Sequence, residues 1–219
     1  MQKHIKFFNE IVKRNIPTAS AELYKEIHTS FLVPTNYTIP IDVFEEEIYQ
    51  YKSYLRQWGP EYTEFPRYGL PLVNLSGTID DEFDPSCAPL DTWWDHYGDV
   101  YWDLDFNKPT EILDLSCFDG LNNIKKYMIR SNVLWWDNTG HFKPHVDSTP
   151  EYFTHLRLWG TNKESYLLKC NGETVDFEPG RLYIIDTSIV HEAAAKEDFT
   201  CTFFLSFKLD VLHDKRITI

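Results

Sequence analysis

The stretch from Ser165 to Phe177 has few conformations open to it. Ser165 to Cys170 and Glu173 to Phe177 are strand-like runs, and Asn171-Gly172 stands between them. Asn-Gly accepts the left-handed backbone that a two-residue hairpin turn demands at both positions, so the stretch predicts a β-hairpin. The same character continues on either side. Ile129 to Trp136 and Phe153 to Trp159 precede the hairpin, and Arg181 to Asp186 and Phe199 to Lys208 follow it. Roughly seven strands within about 85 residues, joined by tight turns such as Glu178-Pro-Gly180, predict a β-sandwich or jelly roll.

The front of the chain carries a different period. Ile5, Phe8, Ile11 and Val12 recur at helical spacing and predict an amphipathic helix over 3–14. Ser20 is placed to cap a second helix running to about Thr29. Asp42 with Glu45 three residues on has the form of a capping box, and Phe44, Ile48, Tyr51 and Leu55 share one face of a third helix reaching about Trp58. Such apolar stripes belong to a core. Beyond Gly59-Pro60 the pattern is harder to read. Tyr68 to Leu75 has the look of a strand or extended segment. Asp91 to Trp102 is a dense aromatic and acidic tract that suits either a lid over a site or a loop packing its own rings on the barrel. No repeat and no Gly/Ser linker divides the chain. One domain over 1–219 is therefore expected, mostly β with N-terminal helices (α+β): a helical support over 1–60, an extended, aromatic-rich segment over 61–123 and a β core over 124–212.

Charge excludes some partners. The 219 residues carry 21 Lys and Arg against 34 Asp and Glu, a formal net charge of −13. Such a surface repels phosphate backbones and anionic membranes, so neither nucleic acid nor a membrane is an expected partner. No apolar run approaches the ~20 residues that span a bilayer. The N-terminus shows no apolar core followed by a cleavage site, so no signal peptide is expected. Cys87, Cys117, Cys170 and Cys201 are scattered, with no Cys-x-x-Cys pair, which suits reduced thiols in a cytoplasmic protein. Nothing in the pattern indicates an oligomeric state.

Chemistry concentrates in Thr139-Gly-His-Phe-Lys-Pro-His-Val-Asp147 and in Ile184-Ile-Asp-Thr-Ser-Ile-Val-His191. His-x-Asp on a strand puts His145 and Asp147 on one face, because strand side chains alternate. A third ligand, His191, then closes a triangular face on a metal. Two imidazoles and one carboxylate, with the opposite positions open, suit non-haem Fe(II) and oxygen chemistry. The plainer alternative is an exposed His-x-Asp turn with an unrelated His191 at a strand end. Against it stands the local order: a turn at Glu178-Pro-Gly180, an apolar strand over Arg181 to Ile185, then a His presented at a barrel mouth. A Ser/His/Asp hydrolase has little support, since Asp186-Thr-Ser188 with His191 is too local and no Gly-x-Ser-x-Gly elbow occurs.

The block from about Ser131 to Asp210 resembles the aspartyl/asparaginyl β-hydroxylase group of Fe(II)- and 2-oxoglutarate-dependent oxygenases, which includes proline hydroxylases. The matching pieces are Thr139-Gly-His-Phe-Lys-Pro-His145, His155-Leu-Arg-Leu-Trp159, Lys169-Cys-Asn-Gly-Glu-Thr174, Glu178-Pro-Gly-Arg-Leu-Tyr-Ile-Ile-Asp-Thr-Ser-Ile-Val-His-Glu192 and a closing strand from Cys201 to Leu209. The resemblance implies a double-stranded β-helix, a cupin-like jelly roll, with one Fe(II) and 2-oxoglutarate as cosubstrate. It puts His145 and His191 on the metal, with Asp147 as the carboxylate ligand. It also puts Arg157 where a guanidinium helps hold a 2-oxoglutarate carboxylate. One departure stands out. The family usually has an Arg about ten residues after the distal His, and here that count lands on Cys201, flanked by Thr200 and Thr202. Lys196 and Lys208 are out of register. The far carboxylate then falls to Arg157 with Thr200 or Thr202, or to Arg181 or Arg130, or 2-oxoglutarate binding has been lost.

The expected activity is hydroxylation of a small-molecule amino acid or of a residue in a peptide or protein, with succinate and CO2 as co-products. Arg157, His155 and Thr202 are the candidates for the cosubstrate, and Arg67, Trp135 and His141 for the substrate. Two other classes stand beside it. One is a cupin-like barrel that binds a metal or small ligand without turnover. The other is a non-oxidative cupin isomerase, with His141 or His155 as an extra ligand or base.

Overall fold

The computed structural model describes residues 11–57, 67–81, 84–87, 101–138, 140–147 and 153–217. Residues 3–10 of the helix expected over 3–14, and the aromatic tract up to residue 100, lie outside the described residues. Residues 11–14 are helical. Two further α-helices follow, α1 (Ala21–Ile27) and α2 (Ile41–Tyr49). The strands are β1 (Leu32–Thr38), β2 (Arg56–Gln57), β3 (Arg67–Asn74), β4 (Lys108–Pro109), β5 (Ser131–Trp136) and β6 (His141–His145). They continue as β7 (His155–Thr161), β8 (Leu167–Cys170), β9 (Glu173–Thr174), β10 (Arg181–Ile185), β11 (His191–Ala194) and β12 (Thr200–Lys208).

From β5 onward the chain passes back and forth between two antiparallel sheets. The larger runs β1-β10-β7-β12-β5-β3-β2, with β4 beside β3, and the smaller runs β6-β11-β8-β9. Strands β5, β12, β7 and β10 of one sheet thus face β6, β11, β8 and β9 of the other. That alternation is the double-stranded β-helix, a cupin-like jelly roll.

Period-2 alternation sorts the apolar residues into two cores. Val133 and Trp135 of β5, Leu156 and Leu158 of β7, and Cys201, Phe203, Leu205 and Phe207 of β12 point away from the smaller sheet. They are covered by Phe44 and Ile48 of α2 and by Ile112, Phe118 and Leu121 from short 3-10 turns. Trp136, Trp159, Tyr183 and Ile185 point the other way and meet Leu168 and Ala193 of the smaller sheet. The larger sheet is buried on both faces, which is why β12 reads as a near-continuous apolar run.

The hairpin forms as expected. Asn171 has φ +51° and Gly172 φ +87°, the left-handed pair of a two-residue turn. Ser20 caps α1 by accepting from Leu23 N at 3.1 Å. The third helix departs from expectation at both ends. Pro40 is its N-cap, with no side-chain cap bond, because Ile39 N is held by Gly180 O and the proline ring sets the helical φ at the start. The Glu45 carboxylate is drawn instead to Asn162 and Lys163, both at 2.8 Å, so no capping box forms. The helix stops at Tyr49, since Arg56 and Gln57 pair with Gly69 and Tyr68 of β3 and pull the chain into the sheet.

Strand β1 was not legible in sequence, as Pro34 interrupts it. At the sheet edge a proline costs no ladder bond, and Pro34 sits opposite Tyr183. All four cysteines are free. No described helix is long and apolar enough to cross a membrane.

Candidate metal centre

The two strands that carry the histidines are neighbours. β6 and β11 pair antiparallel with His145 directly opposite His191, and a bulge follows between His191 and Ala193. The imidazole centroids are 4.3 Å apart. Asp147 is placed differently from the simple alternation argument, because β6 ends at His145. Its backbone N–H donates to Thr187 O at 3.0 Å, and this turns the carboxylate back toward the rings. Asp147 Oδ1 lies 3.1 Å from His145 Nε2, and Oδ2 lies 3.8 Å from His191 Nε2. One ligand atom from each of the three residues falls within 4.8 Å of the others.

Both rings are oriented the same way. His145 Nδ1 is 2.7 Å from Lys143 O and His191 Nδ1 is 2.9 Å from Ile189 O. A carbonyl can only accept, so each Nδ1 carries the proton and each Nε2 lone pair faces Asp147. This is how a protein prepares a histidine for a metal. Burial pushes the His191 imidazolium down, so the ring is neutral at pH 7 despite Asp147 beside it. Burial opposes the Asp147 charge. The neighbouring His145, His191 and Arg157 side chains outweigh it and hold the carboxyl well below the usual carboxylate range.

Beside the triad lies a row of half-buried charge. Arg157 projects from β7, with Nη1 3.6 Å from Asp147 Oδ2 and Nη2 3.0 Å from His155 Nε2. Its Nε is buried and has no hydrogen-bond partner among the described residues. His155 Nδ1 faces Thr154 Oγ1 at 3.2 Å and Asp103 Oδ2 at 3.9 Å. Asp103 in turn meets Arg130 Nη1 at 3.4 Å. Two arginines and two aspartates balance in charge, with His155 neutral because burial pushes it down to about 4. Lys208 is the cross-strand partner of His155. Next to Arg157 a cleft opens toward α1, walled by Tyr24, His28, Phe153 and Thr187.

The remaining sequence candidates separate. Thr202 faces the interior, but its hydroxyl accepts from Trp136 Nε1 at 2.9 Å. Arg67 is buried inside the barrel, its guanidinium 4.4 Å from the Phe142 ring and 5.0 Å from the Trp136 ring. Phe142 itself packs against His145 with centroids 3.9 Å apart. Trp135 is not at the site. It points to the outer core, where it meets Phe199 at 4.4 Å and Tyr49 at 6.2 Å. His141 is exposed and binds Glu192 at 2.9 Å, which Lys169 also approaches, so it is no extra ligand. Cys201 is fully buried in the outer core, so a long cation at that position would point away from the metal centre. Arg181 is held by Thr35 O and Glu178, and Arg130 by Asp103 and Ser86 O. Sequence reasoning missed Asp103, which lies between two apolar residues and carries no local motif.

Of the aromatic tract, Tyr101 and Trp102 are described, and Trp102 is buried with Ile11, Ile16 and Phe106.

No family model matches the chain, and no curated protein is significantly similar to it. Among solved structures, KdgF from a Halomonas species is similar at 16% identity, over 37% of this chain and 70% of its own, with a TM-score of 0.30. An RmlC-like cupin from Shewanella frigidimarina is similar at 10% identity, over 39% and 71%, with a TM-score of 0.28. A 2OG-Fe(II) oxygenase family oxidoreductase from Burkholderia pseudomallei is similar at 12% identity, over 44% and 53%, with a TM-score of 0.28. Likeness of this size carries no argument about activity, and the fold rests on the strand order above.

Proposed function

We propose that this protein is an Fe(II)- and 2-oxoglutarate-dependent dioxygenase of the aspartyl/asparaginyl β-hydroxylase kind. The observation that carries the reading is the His145, Asp147 and His191 cluster with a buried, unpartnered guanidinium nitrogen of Arg157 alongside. Two imidazoles and a carboxylate are a suitable donor set for Fe(II). The charge balance supports a dianionic partner for the metal. The arginine–aspartate row is neutral, a divalent ion adds two positive charges, and a 2-oxo dicarboxylate returns two negative ones.

Fe(II) held by the triad, with 2-oxoglutarate and O2, would supply the oxidising power to hydroxylate an amino acid, free or within a peptide or protein, yielding succinate and CO2. The chain's own residues do the positioning. Lys143 O and Ile189 O hold the imidazoles with Nε2 forward, and Thr187 O holds the Asp147 backbone. Arg157 offers its free Nε to a carboxylate, and a guanidinium grips such a group with well-directed hydrogen bonds. The cleft bounded by Tyr24, His28 and Phe153 is the approach for the substrate.

A second reading has its own support. Trp136, Trp159, Tyr166 and Tyr183 fill the barrel interior, and Trp136 occupies the Thr202 hydroxyl. A packed interior of this kind suits a cupin that binds metal, or isomerises a small ligand, without 2-oxoglutarate.

Anaerobic titration with Fe(II) and then 2-oxoglutarate separates the two. A weak near-visible charge-transfer band that Arg157→Ala removes, while iron still binds, is the expected result. Iron binding with no band at any 2-oxoglutarate concentration would overturn the dioxygenase reading and favour the second.

A further inference from the structure

We infer that Asp103 is a positioning residue for the metal centre: through His155 it sets the guanidinium of Arg157 to receive a ligand carboxylate. The inference rests on the dioxygenase reading above and names a part of that site contributed from outside the barrel strands.

Asp103 opens a 3-10 turn, Asp103–Asp105, and is fixed to the start of β5 twice over. Arg130 N donates to its backbone O at 3.3 Å, and Arg130 Nη1 lies 3.4 Å from its Oδ1. Its other oxygen, Oδ2, faces His155 Nδ1 at 3.9 Å. On the far side of that ring, Nε2 lies 3.0 Å from Arg157 Nη2. A guanidinium has donors only, so this contact requires Nε2 to be the nitrogen without a proton. The proton then sits on Nδ1, which faces the Asp103 carboxylate and the Thr154 hydroxyl.

A negative charge beside Nδ1 favours that tautomer, as carboxylates behind metal-bound histidines do. In the other tautomer, Nε2–H meets Nη2–H, two donors face each other, and Arg157 is driven off. Its Nη1 then leaves Asp147 and its Nε no longer points where a ligand would lie. Asp103 makes no hydrogen bond to Arg157 or Asp147 among the described residues; its charge also acts on Arg157 through space, and the tautomer effect runs through the imidazole.

The test uses Mn(II)-loaded full-length protein and calorimetric titration of 2-oxoglutarate, with metal affinity measured separately. Asp103→Asn keeps the shape but removes the charge, and its amide N–H2 can turn to donate to Nδ1, favouring the wrong tautomer. A loss of about tenfold in 2-oxoglutarate affinity is expected, with Mn(II) affinity unchanged. His155→Gln supplies a side-chain carbonyl that accepts from Arg157 in either case. In that background Asp103→Asn is expected to cause no further loss. Wild-type affinity in Asp103→Asn, or losses that multiply in the double variant, would overturn the inference and leave the dioxygenase reading standing. Metal uptake without 2-oxoglutarate binding in the wild type overturns both. Should Asp103→Asn fail to fold, the imidazole 15N spectrum of the wild type decides: a proton on Nδ1 of His155 is expected, and one on Nε2 sinks the inference.

Discussion

His145 and His191 stand directly opposite each other across β6 and β11, each with Nδ1 turned back to the carbonyl two residues before it. Neither ring needs the other to hold its orientation. Each is set by its own backbone, and the ladder sets the distance between them. The geometry of the cluster is thus set by the backbone alone. Removing a donor should therefore cost affinity and leave the fold in place. His191→Ala is expected to weaken Mn(II) binding at least about 100-fold, the upper end of what supporting contacts alone cost. Calorimetry with circular dichroism checks this, and unchanged metal affinity in the variant would show that the cluster is not the site.

The neutral His155 makes a signed prediction about pH. Its folded pKa, pushed down to about 4 chiefly by burial, lies below the unfolded value near 6.5. Between those values the unfolded chain binds more protons. Stability is then fully present above pH ~6.5, is lost as pH falls toward about 4, and levels off below. The contribution is of the order of 3 kcal/mol. Burial lowers His28 and His191 in the same direction, so the wild-type slope contains all three. Urea unfolding of wild type and His155→Gln at pH 7 and pH 4.5 isolates the His155 share. Equal losses in the two proteins would mean that His155 is protonated in the folded state.

Trp135 and Trp136 are adjacent in sequence and belong to different cores. Trp135→Ala is expected to cost about 3 kcal/mol of stability by emptying the packing against Phe199 and Tyr49, with metal affinity changed less than about twofold. Denaturant unfolding and metal titration on the same samples check both halves. A large fall in metal affinity beside a small fall in stability would place Trp135 at the site after all.

Gly160 of β7 permits a close approach. A Cβ there would lie 2.7 Å from Arg181 O and 2.9 Å from Leu182 Cδ2. A backbone carbonyl in a paired strand has little freedom to retreat, so Gly160→Ala is expected to destabilise the barrel by about 1–3 kcal/mol. A thermal midpoint equal to wild type would show that β10 yields more readily than its pairing suggests.

The architecture and the candidate cluster were readable from local pattern. Asn171-Gly172 specifies its own turn, and His145, Asp147 and His191 announce themselves by residue type and by the strand and turn signals around them. Reading failed where a local signal competed with a distant partner. The Asp42 and Glu45 pattern lost to Pro40 at the helix start and to Asn162 and Lys163 at the carboxylate. The apolar stripe through Tyr51 and Leu55 lost to the pairing of β2 with β3. Trp135, His141 and Thr202 have suitable chemistry, yet which face each presents, and to which neighbour, depends on where a strand starts and what lies across from it.

By itself, then, the amino-acid sequence determined a jelly-roll core and a His-x-Asp with a distant His, because turn chemistry and strand alternation are properties of neighbouring residues. Tertiary structure alone decided that Cys201 faces the outer core and that Asp103, Arg130, His155 and Arg157 form one half-buried row leading to Asp147. The reason is physical. A charge is buried only where an opposite charge or a hydrogen-bond partner meets it, and these partners come from segments that only the closed barrel brings together.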